Sequence, residues 1–432
     1  MDNGQFLDLL YSNLTLYLSL LGLVFIIYFA WFGNKVRHVA DPLMIGFVAQ
    51  VFSCSVVLLL EFTSEIDDFY FYSFLYTEVM FLIPLLFMRK NYVKINDDSH
   101  ERFLAYKRWN YGYSSFYYTT TILLIITSIY YFAIVGIPIL NQLSRLDTNE
   151  SAGIISWFTD VYWVCFPAMV AIKRYVYRRK SFVDYVLLLL CFVCLLVKGG
   201  KSDFFFMIVS LFLVKEVYQI RELAKVVKIL SYISPLIILG LMVVIFSVWG
   251  ANGSVVSAFF ERFVLFGDVF YQGYSKPFMD SLPKDIYVWD YFFGGTINKL
   301  SMILGYPVKD KVIFGYEISK YYYNIDSGIG PNARQNILGL YLFGPYFCGV
   351  FSFVLGLIYL AIRRGIFLVN NRTRAYSLRV VFYIIFCTYS CYLFIDPTLT
   401  WGLYLKTTFV FIFPLIVSLL NQSIYNRRLK GV

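Results

Sequence analysis

About eleven apolar stretches, each long enough or nearly so to cross a bilayer, follow one another along this chain. They lie at approximately 14–32, 42–60, 71–88, 116–140, 154–172, 182–197, 204–219, 226–249, 336–362, 380–395 and 403–420. Lipid offers the backbone no hydrogen-bond partner, so spans of this kind must be helices that satisfy themselves. The expected fold class is therefore all-α: a polytopic integral membrane protein, read as a single transmembrane domain over 1–432. Composition agrees. The chain is 15% charged, where a soluble domain carries roughly 25%, and 21% aromatic, with tyrosines concentrated near the ends of the apolar runs. The first run is long, has no basic segment before it and no small-residue cleavage site, so it reads as a retained span.

Lysine and arginine set the orientation. Connections 33–41, 89–112, 173–181, 215–228, 362–379 and 421–432 hold 25 of the 37 basic residues; the opposite short connections hold only Arg145, Lys198 and Lys201. Short-loop asymmetry places the basic set in the cytoplasm. The N-terminus and the long interval 251–335 then face outward and the C-terminus inward. With the basic residues accounted for by topology, the net charge of +10 is no argument for nucleic acid.

The interval 251–335 carries aromatic clusters at Tyr287, Trp289, Tyr291, Phe292 and Phe293, and again at Tyr321, Tyr322 and Tyr323. Its apolar spacing predicts two or three short helices packed over the outer end of the bundle. A connection of this length is usually functional.

Outer-face cations stand out because topology does not demand them. Arg145 is followed by Asp147 and Glu150, Lys198 and Lys201 bracket Gly199 and Gly200 ahead of Asp203, and Arg334 follows Asp326, Gly328, Gly330 and Asn332. Glycines let a backbone approach an anion, arginine holds phosphate through a planar fork, and lysine acts as a point charge. Together they suggest a site for a phosphate or diphosphate at the outer interface, with Arg145, Lys198, Lys201, Arg334, Gly199, Gly200 and Asn332 as its wall. Snorkelling at helix ends is the bland reading of each cation taken alone.

Within spans lie Glu78, Asp160, Asp184 and Lys406. Asp160 divides evenly between an ion-pair partner and an active-site acid; Glu78 is deeper, with no partner nameable. Both histidines, His38 and His100, fall in cytoplasmic connections, so the outer face has neither a His-based triad nor a His-based zinc site. No metal or other cofactor is called for. The seven cysteines, Cys191 and Cys194 included, lie inside apolar runs and read as small core hydrophobes.

Gly136-Ile-Pro-Ile-Leu140 followed by Arg145 and Gly153, then Lys198-Gly-Gly-Lys-Ser202 opening a span, then the outer loop ending Gly330-Pro-Asn332 and running into Leu342-Phe-Gly344 and Gly349, resembles the Wzy-type O-antigen or oligosaccharide repeat-unit polymerases. Two departures are visible: Lys201 stands where members often carry arginine, and Pro345 lengthens the Gly344–Gly349 spacing. The resemblance implies a membrane glycosyltransferase bundle of the GT-C-like type in a bacterial inner membrane, working at the periplasmic face. It implies undecaprenyl-diphosphate-linked oligosaccharide as both donor and acceptor, membrane lipid around it, and a chain-length regulator and a flippase as pathway partners. Arg145 and Arg334 are the outer-loop arginines it makes functional. A diphosphate is already a good leaving group, so stabilising its charge is the main task, and Asp326, Asp160, Asp147 and Glu150 are the candidates for a general base. Two alternatives remain: an O-antigen ligase, whose family relies on an outer histidine absent here, and a flippase or transporter, which expects charges in mid-bundle.

Overall fold

The computed structural model describes residues 1–88, 111–138, 151–198, 201–249, 260–261, 263–284, 287–303, 306, 313–325, 330–367 and 377–429. All secondary structure in them is helical. The helices are α1 (Asn3–Ser12), α2 (Leu14–Phe32), α3 (Pro42–Phe62), α4 (Asp68–Leu86), α5 (Tyr111–Val135), α6 (Ile155–Ala171), α7 (Phe182–Val197), α8 (Lys201–Tyr218) and α9 (Arg221–Trp249). The loop then carries α10 (Asp268–Gly273), α11 (Lys276–Ser281), α12 (Val288–Ile303) and α13 (Phe314–Tyr323). After it come α14 (Gln335–Phe367), α15 (Ser377–Tyr389), α16 (Tyr392–Ile395) and α17 (Pro397–Leu429).

Eight helical stretches among the described residues are long and apolar enough to cross a membrane. Each coincides with one of the expected runs, and the remaining three runs are helices too, α7, α8 and α9. The starts are chemically specified. Asp41 and Asp67 each accept an N–H of the first turn, from Leu43 and Phe69, and Pro42 occupies a position where its missing N–H costs nothing. Asp2 and Gln5 form a reciprocal capping box on α1.

Two compact units are present. Unit 1 comprises 1–90, 253–362 and 390–403; unit 2 comprises 91–252, 363–389 and 404–432. In unit 1, α2 buries one stripe, Tyr17, Leu20, Val24, Tyr28 and Phe32, and leaves Leu18, Leu23, Phe25, Ile26 and Phe29 exposed. An exposed apolar face opposite a buried one is what a span at a bundle's edge offers to lipid. α3 is the enclosed helix of this unit. In unit 2, α6 is buried on all sides. Tyr113 of α5 donates to the Met169 carbonyl, Tyr162 of α6 to that of Val410, and Trp163 to Ser128 Oγ.

The N-terminal helix packs on the loop. Phe6 stacks flat on Tyr271 at 4.0 Å. Asn3 accepts from the Tyr271 hydroxyl and the Gln272 amide, and its own N–H donates to Tyr323. Burial raises the Tyr271 pKa and lowers that of the N-terminal amine. α1 and the loop helices α10 and α13 therefore lie at the same end of unit 1.

Candidate functional site

The structure departs from the sequence reading most at Arg334. Expected at the outer mouth of the following helix, its side chain is instead 1% exposed and lies beside the middle of α3. Its Nη1 donates to the Phe394 carbonyl at 2.7 Å, its Nη2 to that of Phe266 at 2.7 Å and of Ala49 at 3.5 Å, and its Nε to Phe266 at 3.1 Å. Ala49 and Ser53, which also donates to the Phe266 carbonyl, flank the midpoint of α3. At 1.5 Å per residue, Ala49 is about 10 Å from the start of α3 and so about 5 Å from the centre-line of a roughly 30 Å crossing.

The backbone explains how the loop gets there. α14 is not one rod: Gly344 has φ 70 and ψ 179, a conformation open in practice to glycine alone, and Pro345 follows it. The segments before and after this break run in opposite directions. Gly339 lies against the Cys348 backbone, as opposed arms of a hairpin must. Asn336 donates to Thr77 Oγ1 at 3.0 Å and Glu78 Oε2 at 3.1 Å, at the midpoint of α4. Beyond the break, Gly349 takes the Tyr76 ring and Gly356 the Phe81 carbonyl against its backbone, so the longer arm runs along α4 in α4's own direction. The loop thus descends to mid-span, turns at Arg334, rises through nine residues to Gly344, and only then enters a full-length helix. Irregular backbone at such a depth is tolerable only when its polar groups are satisfied by protein, and the Arg334 guanidinium supplies that for Phe266 and Phe394.

Glu78, without a nameable partner in the sequence, has four. The Tyr28 hydroxyl donates to Oε1, and the side-chain amides of Gln50, Asn336 and Gln335 donate to Oε2. The carboxylate is 6% exposed. Arg334 and Glu78 are therefore a buried cation and anion in one polar cluster of unit 1, each saturated by neutral groups. Only one of the five guanidinium N–H groups has no carbonyl here, so Arg334 has no fork to offer a phosphate.

Unit 2 gathers a second cluster. Asp160, five residues into α6, accepts from Lys198 on Oδ1 and from Lys406 of α17 on Oδ2, the latter at 2.6 Å. Lys198, at the C-terminal end of α7, is sealed, with a 0% exposed side chain beside the Tyr131 and Trp163 rings. The Lys406 side chain is 16% exposed. Both carboxylate oxygens are engaged by ammonium groups, the arrangement of the ion-pair reading of Asp160. At the other end of α6, Lys173 pairs with Asp184 at 2.7 Å, where Tyr117 also donates. Asp184 is thus an ion-paired, buried carboxylate.

Of the remaining expected residues, Asn332 is exposed beside the turn. Arg145, Gly199, Gly200 and Asp326, with Asp147, Glu150 and His100, lie outside the described residues, and the backbone of Lys201 opens α8. Lys406 was missed as a site residue; the signal for it was its presence in a span, but its partner is 246 positions away. The described histidine, His38, accepts the Ala40 N–H in the connection between α2 and α3. No family model, curated protein or solved structure matches the chain.

Proposed function

We propose that the protein polymerises lipid-linked oligosaccharide repeat units at the periplasmic face of a bacterial inner membrane. The growing glycan passes from undecaprenyl diphosphate to the non-reducing end of a new lipid-linked repeat. The observation that carries this reading is the outer loop: a polar, aromatic-rich segment that covers one end of a bundle and descends to mid-span. A substrate with a long polyisoprenyl tail and a sugar diphosphate head needs apolar walls open to lipid and, at one end, a polar enclosure, and this reading assigns the enclosure to the loop with its helices α10 to α13. The order of glycine and cation motifs along the chain adds the family resemblance.

In this reading Arg334 fixes the loop at depth and does not touch the diphosphate. Arg145 and Lys201 remain the outer-face cations for the leaving group, and Asp326, Asp147 and Glu150 the candidates to take the acceptor's proton. A chain-length regulator and a flippase would act before and beside it. The experiment is electrophoresis of surface polysaccharide from a strain lacking the gene, with and without its restoration. Polymerase loss leaves single repeats on the lipid anchor, and unchanged long ladders refute the reading.

A second reading is favoured by one observation: the chain turns at mid-helix beside Arg334 and Glu78, an interrupted segment with buried charges of the kind from which transporters build midplane sites. A flippase predicts a different outcome in the same gel, the loss of even single repeats.

A further inference from the structure

We infer that the polar cluster around Glu78 in unit 1 is a binding site for a monovalent alkali cation, held by the carboxylate and by side-chain amide oxygens. The inference stands apart from the polymerase reading and uses no residue which that reading assigns to the substrate.

Three helices bring the ligands together. Gln50 stands on α3, Glu78 at the midpoint of α4, and Gln335 and Asn336 open α14. The amide nitrogens of Gln50, Asn336 and Gln335 lie 2.5, 3.1 and 3.5 Å from Glu78 Oε2. Donors and acceptors do not balance there. One carboxylate oxygen offers about two lone pairs, yet Oε2 faces three amides, while Oε1 takes the Tyr28 hydroxyl. The oxygen of each of those amides, Gln50 Oε1, Gln335 Oε1 and Asn336 Oδ1, is buried with no hydrogen-bond partner. The three residues are at most 1% exposed, so bulk water does not answer them. Buried acceptors left alone are costly. A half-turn of an amide puts its oxygen where its nitrogen stands. That oxygen then faces Oε2 across 2.5–3.5 Å, a contact made favourable only by positive charge between the two. A proton on Glu78 answers one such oxygen; three need a cation. Oxygens spaced in this way can share one hard ion at about 2.3–2.6 Å.

Charge points the same way. Arg334 directs its hydrogen bonds to the carbonyls of Phe266, Phe394 and Ala49, and none to Glu78. Its field acts on Asp268 and Asp396 as well as on Glu78. Of these three, Glu78 and Asp396 have no ion-pair partner among the described residues; Asp396 is bonded by Thr398 and Leu399 alone. One guanidinium thus serves two unpaired carboxylates, and a single added charge balances them. One carboxylate among neutral oxygens suits a monovalent ion better than calcium, which gathers six to eight oxygens.

The test is thermal unfolding of the full-length protein in detergent micelles, with sodium, potassium or caesium chloride replacing N-methylglucamine chloride at constant ionic strength. Wild type should melt later, saturably, in sodium or potassium, by roughly 3–6 °C at ten times the dissociation constant. The ion giving the larger shift is the site's own, and caesium, too large for oxygens so closely spaced, should do less. Glu78→Gln should flatten the response. Asn336→Leu, which removes one amide oxygen, should raise the midpoint concentration roughly tenfold. Asp396→Asn removes a carboxylate facing the same guanidinium but no oxygen of the site, and should leave the midpoint in place. Melts indifferent to the cation, as a cluster filled by water gives, overturn the inference. So does a response of equal size to caesium, or one that survives in Glu78→Gln. Should Asn336→Leu not fold, the wild-type series and Glu78→Gln decide without it. Polysaccharide ladders unchanged by deletion of the gene sink the polymerase reading and leave the cation site standing.

Discussion

Replacing Arg334 with methionine tests the re-entrant loop where the account is most exposed. The side chain makes two short charged hydrogen bonds, to Phe394 and Phe266, and two longer ones. Charged bonds of this kind contribute about 1.5–3 kcal/mol each, so the two short ones amount to roughly 3–6 kcal/mol. Phe266 keeps Ser53 as a donor after the change; Phe394 loses its guanidinium donor, at about 1–3 kcal/mol for a buried orphan. Glu78 is left as an uncompensated buried anion, while the cost of burying a cation disappears and offsets several kcal/mol. The balance is a net destabilisation of about 3 kcal/mol. For a unit on the order of two hundred residues, that lowers the melting temperature by roughly 6–12 °C. Thermal unfolding followed by a thiol-reactive dye suits the measurement, because Cys54 and Cys348 are both buried in this unit. Glu78→Gln in the same background should recover on the order of 1 kcal/mol, since the two charges answer each other. Arg334→Met melting with the wild type, with Cys348 still protected, would show that the guanidinium is not what holds the loop at depth.

Other perturbations separate the parts. Gly344→Ala has open space for its Cβ, so its cost is backbone strain alone, about 1–3 kcal/mol, and should appear in thermal melts without any packing change elsewhere. Gly330→Ala is the converse: the φ of this residue is ordinary, but its Cβ would come 1.9 Å from the Gly315 carbonyl oxygen, so α13 must move away from the chain before the turn. Faster proteolysis within 313–334 and loss of long polysaccharide are the expected readouts. Phe6→Ala removes a fully buried ring stacked on Tyr271 and should cost about 3–5 kcal/mol locally, releasing α1 to protease while the spans stay intact.

Much of this architecture was legible from hydropathy, because in lipid the apolar run and the helix are nearly the same object. Each expected run proves helical, and α1 packs on Tyr271, Gln272 and Tyr323 of the loop. Depth was not legible. Arg334 precedes a long apolar run, and a residue before such a run reads as a rim residue unless the run doubles back. The sign of doubling back was in the text: Gly344-Pro345 inside the run, a pair that ends one helix and begins another. The loop was likewise expected to lie over the bundle, and much of it does pack on α1; but Leu265–Gly267 goes down beside Val56 and Ser53, which no periodicity reveals. Partners of buried charges were hidden for a different reason. Glu78 is answered by Tyr28, Gln50 and Asn336, and Asp160 by Lys406, from helices distant in sequence, and composition carries no information on which helix faces which.

The most direct measurement is chain extension by the purified protein in proteoliposomes supplied only with undecaprenyl-diphosphate-linked repeats and analysed by gel and mass spectrometry. The account predicts lipid-linked glycans lengthened by whole repeats, with undecaprenyl diphosphate released for each repeat joined. Vesicles in which the repeats stay single, or in which they merely change leaflet without lengthening, would contradict it.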